Sequence, residues 1–180
     1  MNDLTEILQK ATKAVTVEYF HLQLDGGNPV YRERVYCYEL YHQMRLRWPV
    51  NSEFFLNGEV DKAAHPILRR LGADRIKPDF LVHQPGCMAG NYAVIEVKSS
   101  DARPNEIRKD LINLTTFIST VGYRRAIYLI YGYSANERKI AQVLSIAERI
   151  ENLAPIELWI HGTVNLEATH RHTLGDNLTN

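Results

Sequence analysis

Apolar residues recur at helical spacing in four segments of this chain. The first lies at the N-terminus, where Asp3 and Glu6 form a capping box ahead of an apolar stripe. The second runs from about residue 31 to 48 and is ended by a proline. The third begins at Pro104, and the fourth follows a second capping box made by Ser134 and Glu137. These patterns predict four helices.

Short apolar runs between and after these helices predict five β-strands. They span residues 54–60, 79–82, 92–98, 126–133 and 156–160. The resulting order of elements is α, α, β, β, β, α, β, α, β, which predicts an α/β fold with a central mixed sheet flanked by helices. After His161 the chain turns polar, and we expect His170, Arg171 and His172 to lie in an unstructured tail.

The composition limits the class of protein but does not identify a binding partner. With 180 residues and 45% hydrophobic content, we expect one domain over residues 1–180, its core at about 31–160, with an added N-terminal helix and polar tail. Lys plus Arg and Asp plus Glu both number 21, so nucleic-acid binding would need clustered cations. Cys37 and Cys87 match no metal spacing, which predicts a reducing, cytoplasmic location. No apolar run is long enough to predict membrane insertion.

The segment of greatest chemical interest begins at Lys77. Pro78 and Asp79 stand at the start of one predicted strand, and Glu96, Val97 and Lys98 close the next. Side chains alternate along a strand, so Glu96 and Lys98 share one face. If the two strands are neighbours, two carboxylates and one ammonium meet at a single place. A metal-dependent phosphodiester hydrolase needs this combination of hard oxygen ligands and a cation.

These two elements resemble the motif of the PD-(D/E)XK nuclease superfamily, which has a restriction-endonuclease-like fold with an αβββαβ core. The resemblance implies a Mg²⁺-dependent DNA nuclease in which Mn²⁺ substitutes for Mg²⁺. It implies that Asp79, Glu96 and the carbonyl of Val97 hold the metal, and that Lys98 acts on the attacking water. It also implies restriction, mobile-element or repair functions, with DNA as the partner and RNA not excluded.

A further acid is expected on a helix that precedes the sheet, as in many members of that superfamily. Glu39 is the candidate, because it lies on a mostly apolar face of the predicted helix at residues 31–48. Glu53 and Glu59 compete for this role.

Cations near the motif are candidates for phosphate contacts. Lys109, Arg34 and Arg103 are the predicted contacts to the nucleic-acid backbone, although a solvated surface charge is the favoured explanation of Lys109 and Arg103. The size of the chain suggests a homodimer or a subunit of a larger complex.

Two other functions remain open. The domain could be a non-catalytic binding or scaffolding module with the same fold. It could also be an α/β interaction protein whose motif is coincidental, in which case Asp79 and Glu96 should lie far apart.

Overall fold

A computed structural model of the chain describes residues 4–58 and 76–176. The helices in these ranges, numbered in chain order, are α1 (Leu4–Ala14), α2 (Val17–Phe20), α3 (Glu33–Leu46), α4 (Pro104–Thr116) and α5 (Glu137–Ala147). The strands are β1 (Phe55–Gly58), β2 (Phe80–His83), β3 (Asn91–Ser99), β4 (Arg125–Tyr131), β5 (Ile156–His161) and β6 (Thr169–Leu174). A π-helical turn, Phe117–Val121, continues α4.

These six strands form one mixed sheet in the order β1-β2-β3-β4-β5-β6. β1, β2 and β3 are antiparallel neighbours, β3, β4 and β5 run parallel, and β6 is antiparallel to β5. The two parallel pairs are connected through α4 and α5, since a parallel connection needs a crossover. The predicted α/β fold with a mixed sheet flanked by helices is confirmed, and its element order is consistent with a restriction-endonuclease-like core.

Helices cover both faces of the sheet, and β3 shows how the sequence achieves this. Ile95 and Val97 are fully buried in the apolar layer that contains α1 and α3, whereas Val94 packs in the layer of α4 and α5. Glu96 and Lys98 follow Val94 in the alternation, so they lie on the α4 side. None of the described helices is long and apolar enough to cross a bilayer.

The prediction of an unstructured tail is wrong for His170, Arg171 and His172. These residues lie in β6, which pairs with β5. All side chains of residues 169–173 are exposed, so no apolar alternation marks the strand in the sequence. Backbone pairing with β5 holds it in place.

The predicted start of α5 is also wrong. Asn136, not Ser134, is the N-cap, and its side chain accepts hydrogen bonds from the N–H groups of Arg138 and Lys139. The helix begins at Glu137. The other predicted N-cap, Asp3, lies outside the described residues.

Candidate active site

The pairing of β2 with β3 places Asp79 next to Glu96. Phe80 is opposite Ile95 in the antiparallel register. Asp79, which precedes Phe80, therefore lies beside Glu96, which follows Ile95. Asp79 Oδ2 accepts a hydrogen bond of 2.7 Å from the N–H of Val97. The two predicted acids are therefore neighbours, Asp79 just before β2 and Glu96 on β3, which disagrees with a coincidental motif.

Lys98 lies among several carboxylates. Its Nζ atom is 3.0 Å from Glu33 Oε2, 3.7 Å from Asp110 Oδ2 and 3.8 Å from Glu96 Oε1. Together with Asp79, these residues form what we call the Lys98 cluster. It contains four carboxyl groups and one ammonium group, so negative charge outweighs positive charge when all are ionised.

Burial changes how readily these groups ionise. It raises the pKa of Asp79 from 3.8 to about 6, against the opposing effects of the Val97 N–H and the charge of Lys98. It likewise raises the pKa of Asp110 to about 6. Burial also raises the pKa of Glu96 well above its ordinary value, and the charges of Asp79 and Asp110 raise it further. The carboxyl groups of Asp79, Glu96 and Asp110 therefore favour an added proton or cation.

Lys98 responds in the opposite sense. Burial lowers its pKa, but the charges of Asp110 and Glu33 outweigh that effect and hold the pKa above its ordinary value. The side chain is only 18% exposed. It is thus a charged, fixed hydrogen-bond donor at neutral pH.

Sequence reasoning missed two members of the cluster. Asp110 had a visible signal, because it lies on the buried stripe of α4 between Ile107 and Leu111, where a carboxylate is costly. Glu33 had none, since an acid in the first turn of a helix is explained by the helix dipole alone. Only the tertiary structure brings Glu33 to Lys98.

Glu39 does not take the position expected of it. It accepts a hydrogen bond of 2.7 Å from Gln43 on the same helix, and Glu33 is the α3 acid that contacts Lys98. Glu33 and Glu39 are six residues apart, and on a helix this separation points their side chains in directions that differ by roughly 120°. The two glutamates therefore face different surroundings. Of the rival candidates, Glu53 is exposed before β1, and Glu59 lies outside the described residues.

The three predicted phosphate contacts are exposed on the elements that carry the cluster. Arg34 follows Glu33 on α3, and Lys109 precedes Asp110 on α4. Arg103 immediately precedes α4, where its N–H donates to Glu106. Their contact with nucleic acid stays a prediction.

The donors of the cluster suit a hard divalent cation. Between residues 4 and 58 and between 76 and 176, no three His, Cys, Asp or Glu side chains form a ready-made metal site. Asp79 and Glu96 nevertheless offer two neighbouring carboxylates, and Mg²⁺ is commonly held by one or two carboxylates plus water. The carbonyl of Val97 points to the same side of β3 as its N–H, which bonds Asp79. The excess negative charge also fits a cation.

Comparison with known proteins assigns no family. No family model matches the chain, and no curated protein matches it. A structure of SfsA from Pyrococcus furiosus in complex with Ca²⁺ aligns over 85% of this chain and 74% of its own, with 14% identity and a TM-score of 0.36. At that TM-score the similarity carries no argument about function.

Proposed function

We propose that this chain is a metal-dependent nuclease that hydrolyses phosphodiester bonds in DNA. The observation that carries the proposal is the convergence of Asp79, Glu96 and Lys98 at the junction of β2 and β3. Burial of so many carboxyl groups around one lysine is costly and asks for a chemical reason. The choice of DNA rests on the resemblance of the motif alone.

Within this proposal Asp79, Glu96 and the carbonyl of Val97 hold Mg²⁺, or Mn²⁺ in its place. Such a cation would supply Lewis-acid stabilisation of charge at the scissile phosphate. Lys98 orients the attacking water and stabilises the developing negative charge. Its raised pKa favours the role of hydrogen-bond donor over that of general base. Glu33 and Asp110 hold the ammonium group in place.

A non-catalytic nucleic-acid-binding module is the second candidate. It is favoured by the ion pairs that engage Lys98, and by the absence, in the described ranges, of three side chains arranged for a metal. This alternative expects binding without cleavage.

The deciding experiment measures cleavage of plasmid, linear and single-stranded DNA in Mg²⁺ and in Mn²⁺. We expect the parent protein to cut at least one substrate, and Asp79→Ala and Lys98→Ala to lower the rate by roughly 100-fold or more. Glu39→Gln, on the helix but paired with Gln43, is the matched control and should keep the parent rate.

Either of two results argues against the nuclease. Cleavage that persists in both variants would assign the activity to a different site or to a contaminant. Absence of cleavage on every substrate, with binding retained by Lys98→Ala, would favour the binding module.

A further inference from the structure

A pocket of about 420 Å³ opens beside Asp79, between α3 and the strands β1 and β2. Three aromatic residues line it, Tyr38, Tyr41 and Phe80, and Asn57 and Gly58 of β1 form another part of its wall. Its volume falls within the range of small-molecule sites, roughly 300–1,000 Å³. Asp79 belongs both to this pocket and to the Lys98 cluster, so the pocket and the cluster adjoin each other at this residue.

The aromatic side chains contribute apolar surface to the pocket, mostly from the two tyrosines, because Phe80 is only 2% exposed. The rings of Tyr41 and Phe80 are nearly parallel, with an interplanar angle of 22° and centroids 6.2 Å apart. Tyr38, on α3, is 63% exposed. Cys37 adds an apolar surface, because burial, followed by the charge of Asp79, raises the pKa of its thiol well above the ordinary value. A planar ligand could stack against these walls.

The charge of the pocket's described lining residues does not suit an anion. Of its described lining residues, Asp79 alone is charged, and its charge is negative when ionised. Asn57 contributes a polar edge, and its Oδ1 atom lies 2.9 Å from His83 Nε2. A neutral, flat group with hydrogen-bonding edges fits this chemistry, whereas a phosphate does not.

We propose that this pocket binds one unpaired nucleobase of the strand whose phosphate lies at Asp79 and Glu96. The inference rests on the proposed nuclease function, which places a phosphate next to the pocket. A base that enters the pocket must leave its stack, and stacking on an aromatic side chain compensates for that loss. The substrate is therefore single-stranded, or unpaired at the position of the cut.

Gly58 allows the pocket to be filled without disturbing its walls. A Cβ atom at this position would lie 3.7 Å from the Asp79 carbonyl oxygen and from Tyr41 Cδ2, which is ordinary contact distance. Gly58 is not among the glycines with positive φ. Gly58→Leu thus places a side chain against the aromatic wall, and Tyr38→Ala removes an exposed ring. The matched control is Tyr19→Ala, an exposed tyrosine on α2.

The test measures the affinity of labelled oligonucleotides in Ca²⁺ by fluorescence anisotropy, and cleavage of the same oligonucleotides is followed separately in Mg²⁺ and in Mn²⁺. We expect single-stranded DNA to bind more tightly than matched duplex. Tyr38→Ala and Gly58→Leu should each weaken single-strand binding about tenfold, as the loss of one stacked base does. Tyr19→Ala should match the parent protein.

An abasic residue moved along the single strand locates the base that enters the pocket. We expect one position to weaken parent binding about tenfold. An abasic residue at that position should not weaken the binding of Tyr38→Ala any further, because this variant already lacks the ring on which the base stacks.

The outcomes separate this inference from the nuclease proposal. A flat abasic scan, or equal effects of Tyr38→Ala and Tyr19→Ala, overturns the base pocket even if DNA is cleaved. Tighter binding of matched duplex than of single strands overturns it as well. A position-dependent abasic effect without any cleavage supports the pocket and counts against the nuclease.

Discussion

Asp110 occupies a position that packing alone would give to an apolar side chain. It lies on α4 between the buried residues Ile107 and Leu111, and its side chain is 5% exposed. Its carboxyl group is 3.7 Å from the ammonium group of Lys98. We infer that Asp110 contributes charge to the cluster at the expense of stability, which makes its protonation measurable.

We expect the free energy of unfolding of Asp110→Asn to increase, relative to that of the parent protein, as pH rises from 4 to 7. The folded pKa of about 6 exceeds the ordinary 3.8. Folding therefore takes up a proton between these values, and parent stability falls as pH rises through them. The difference between the folded and the ordinary pKa of Asp110 corresponds to a change of about 2–3 kcal/mol in the free energy of unfolding. Urea unfolding in EDTA at several pH values measures the difference.

The exposed Asp101→Asn variant is the control for replacing a carboxylate outside the cluster. A difference between Asp110→Asn and the parent protein that stays constant from pH 4 to pH 7 would contradict the argument.

At the scale of the element, the rotational phase of α3 decides which glutamate reaches the site. Glu33 lies in the first turn of α3. Its carboxylate accepts one hydrogen bond from Lys98 Nζ and another, of 3.4 Å, from the N–H of Ser99. Glu39 is paired with Gln43. The two residues have the same chemistry on one helix and differ only in direction.

This difference predicts unequal effects of the same substitution. Glu33→Gln should lower the cleavage rate by about tenfold or more, because Lys98 loses its shortest ion pair and its position relaxes. Glu39→Gln should change the rate little. Single-turnover rates of the two variants make the comparison, and equal losses would show that the phase of α3 is irrelevant to the reaction.

The strand β6 is the second element whose contribution is testable. Leu174 is 3% exposed and joins the apolar layer that contains α4 and α5, whereas His172 is exposed. Leu174→Ala should lower the free energy of unfolding by about 2–4 kcal/mol. His172→Ala should change it by less than about 0.5 kcal/mol. Urea unfolding curves measure both, and similar values would mean that β6 does not pack as described.

The patterns of single elements were predictable wherever burial on one side imposed a period. The stripe on α1 is an example, since its buried residues Leu4, Ile7, Leu8 and Ala11 have helical spacing. β6 was missed because residues 169–173 are exposed on both sides and show no apolar period. What holds them in a strand is pairing with β5, which only the tertiary structure shows. The start of α5 was misplaced because Ser134 and Asn136 both suit an N-cap and local sequence could not choose between them.

At the scale of the whole molecule, charge is balanced overall but concentrated locally. The chain has 21 basic and 21 acidic residues, yet the Lys98 cluster holds four carboxyl groups against one ammonium group. A cation bound only by the folded state would stabilise the whole fold by mass action. Metal affinity can therefore be read from global unfolding, independently of cleavage.

We expect Mn²⁺ at about 100 times its Kd to raise the unfolding midpoint by about 5–10 °C at pH 8. The increase should be smaller at pH 5.5, because the metal then competes with the proton on Asp79, whose pKa is about 6. Thermal unfolding with and without Mn²⁺ at both pH values measures this effect.

Asp79→Asn, which removes a carboxylate but keeps its shape, should abolish the Mn²⁺-dependent increase, and Glu39→Gln should preserve it. An equal increase in parent protein and Asp79→Asn would mean that the metal binds elsewhere.

The sequence by itself determined the periodic elements and the chemistry at the end of β3. Spacing along a strand puts Glu96 and Lys98 on one face, whatever the rest of the chain does. The tertiary structure alone decided which distant groups join them. Glu33 is 65 residues from Lys98 in the chain, and Asp79 is 18 residues from Val97. Such contacts depend on strand register and on the direction in which a packed helix turns its side chains, and local pattern records neither.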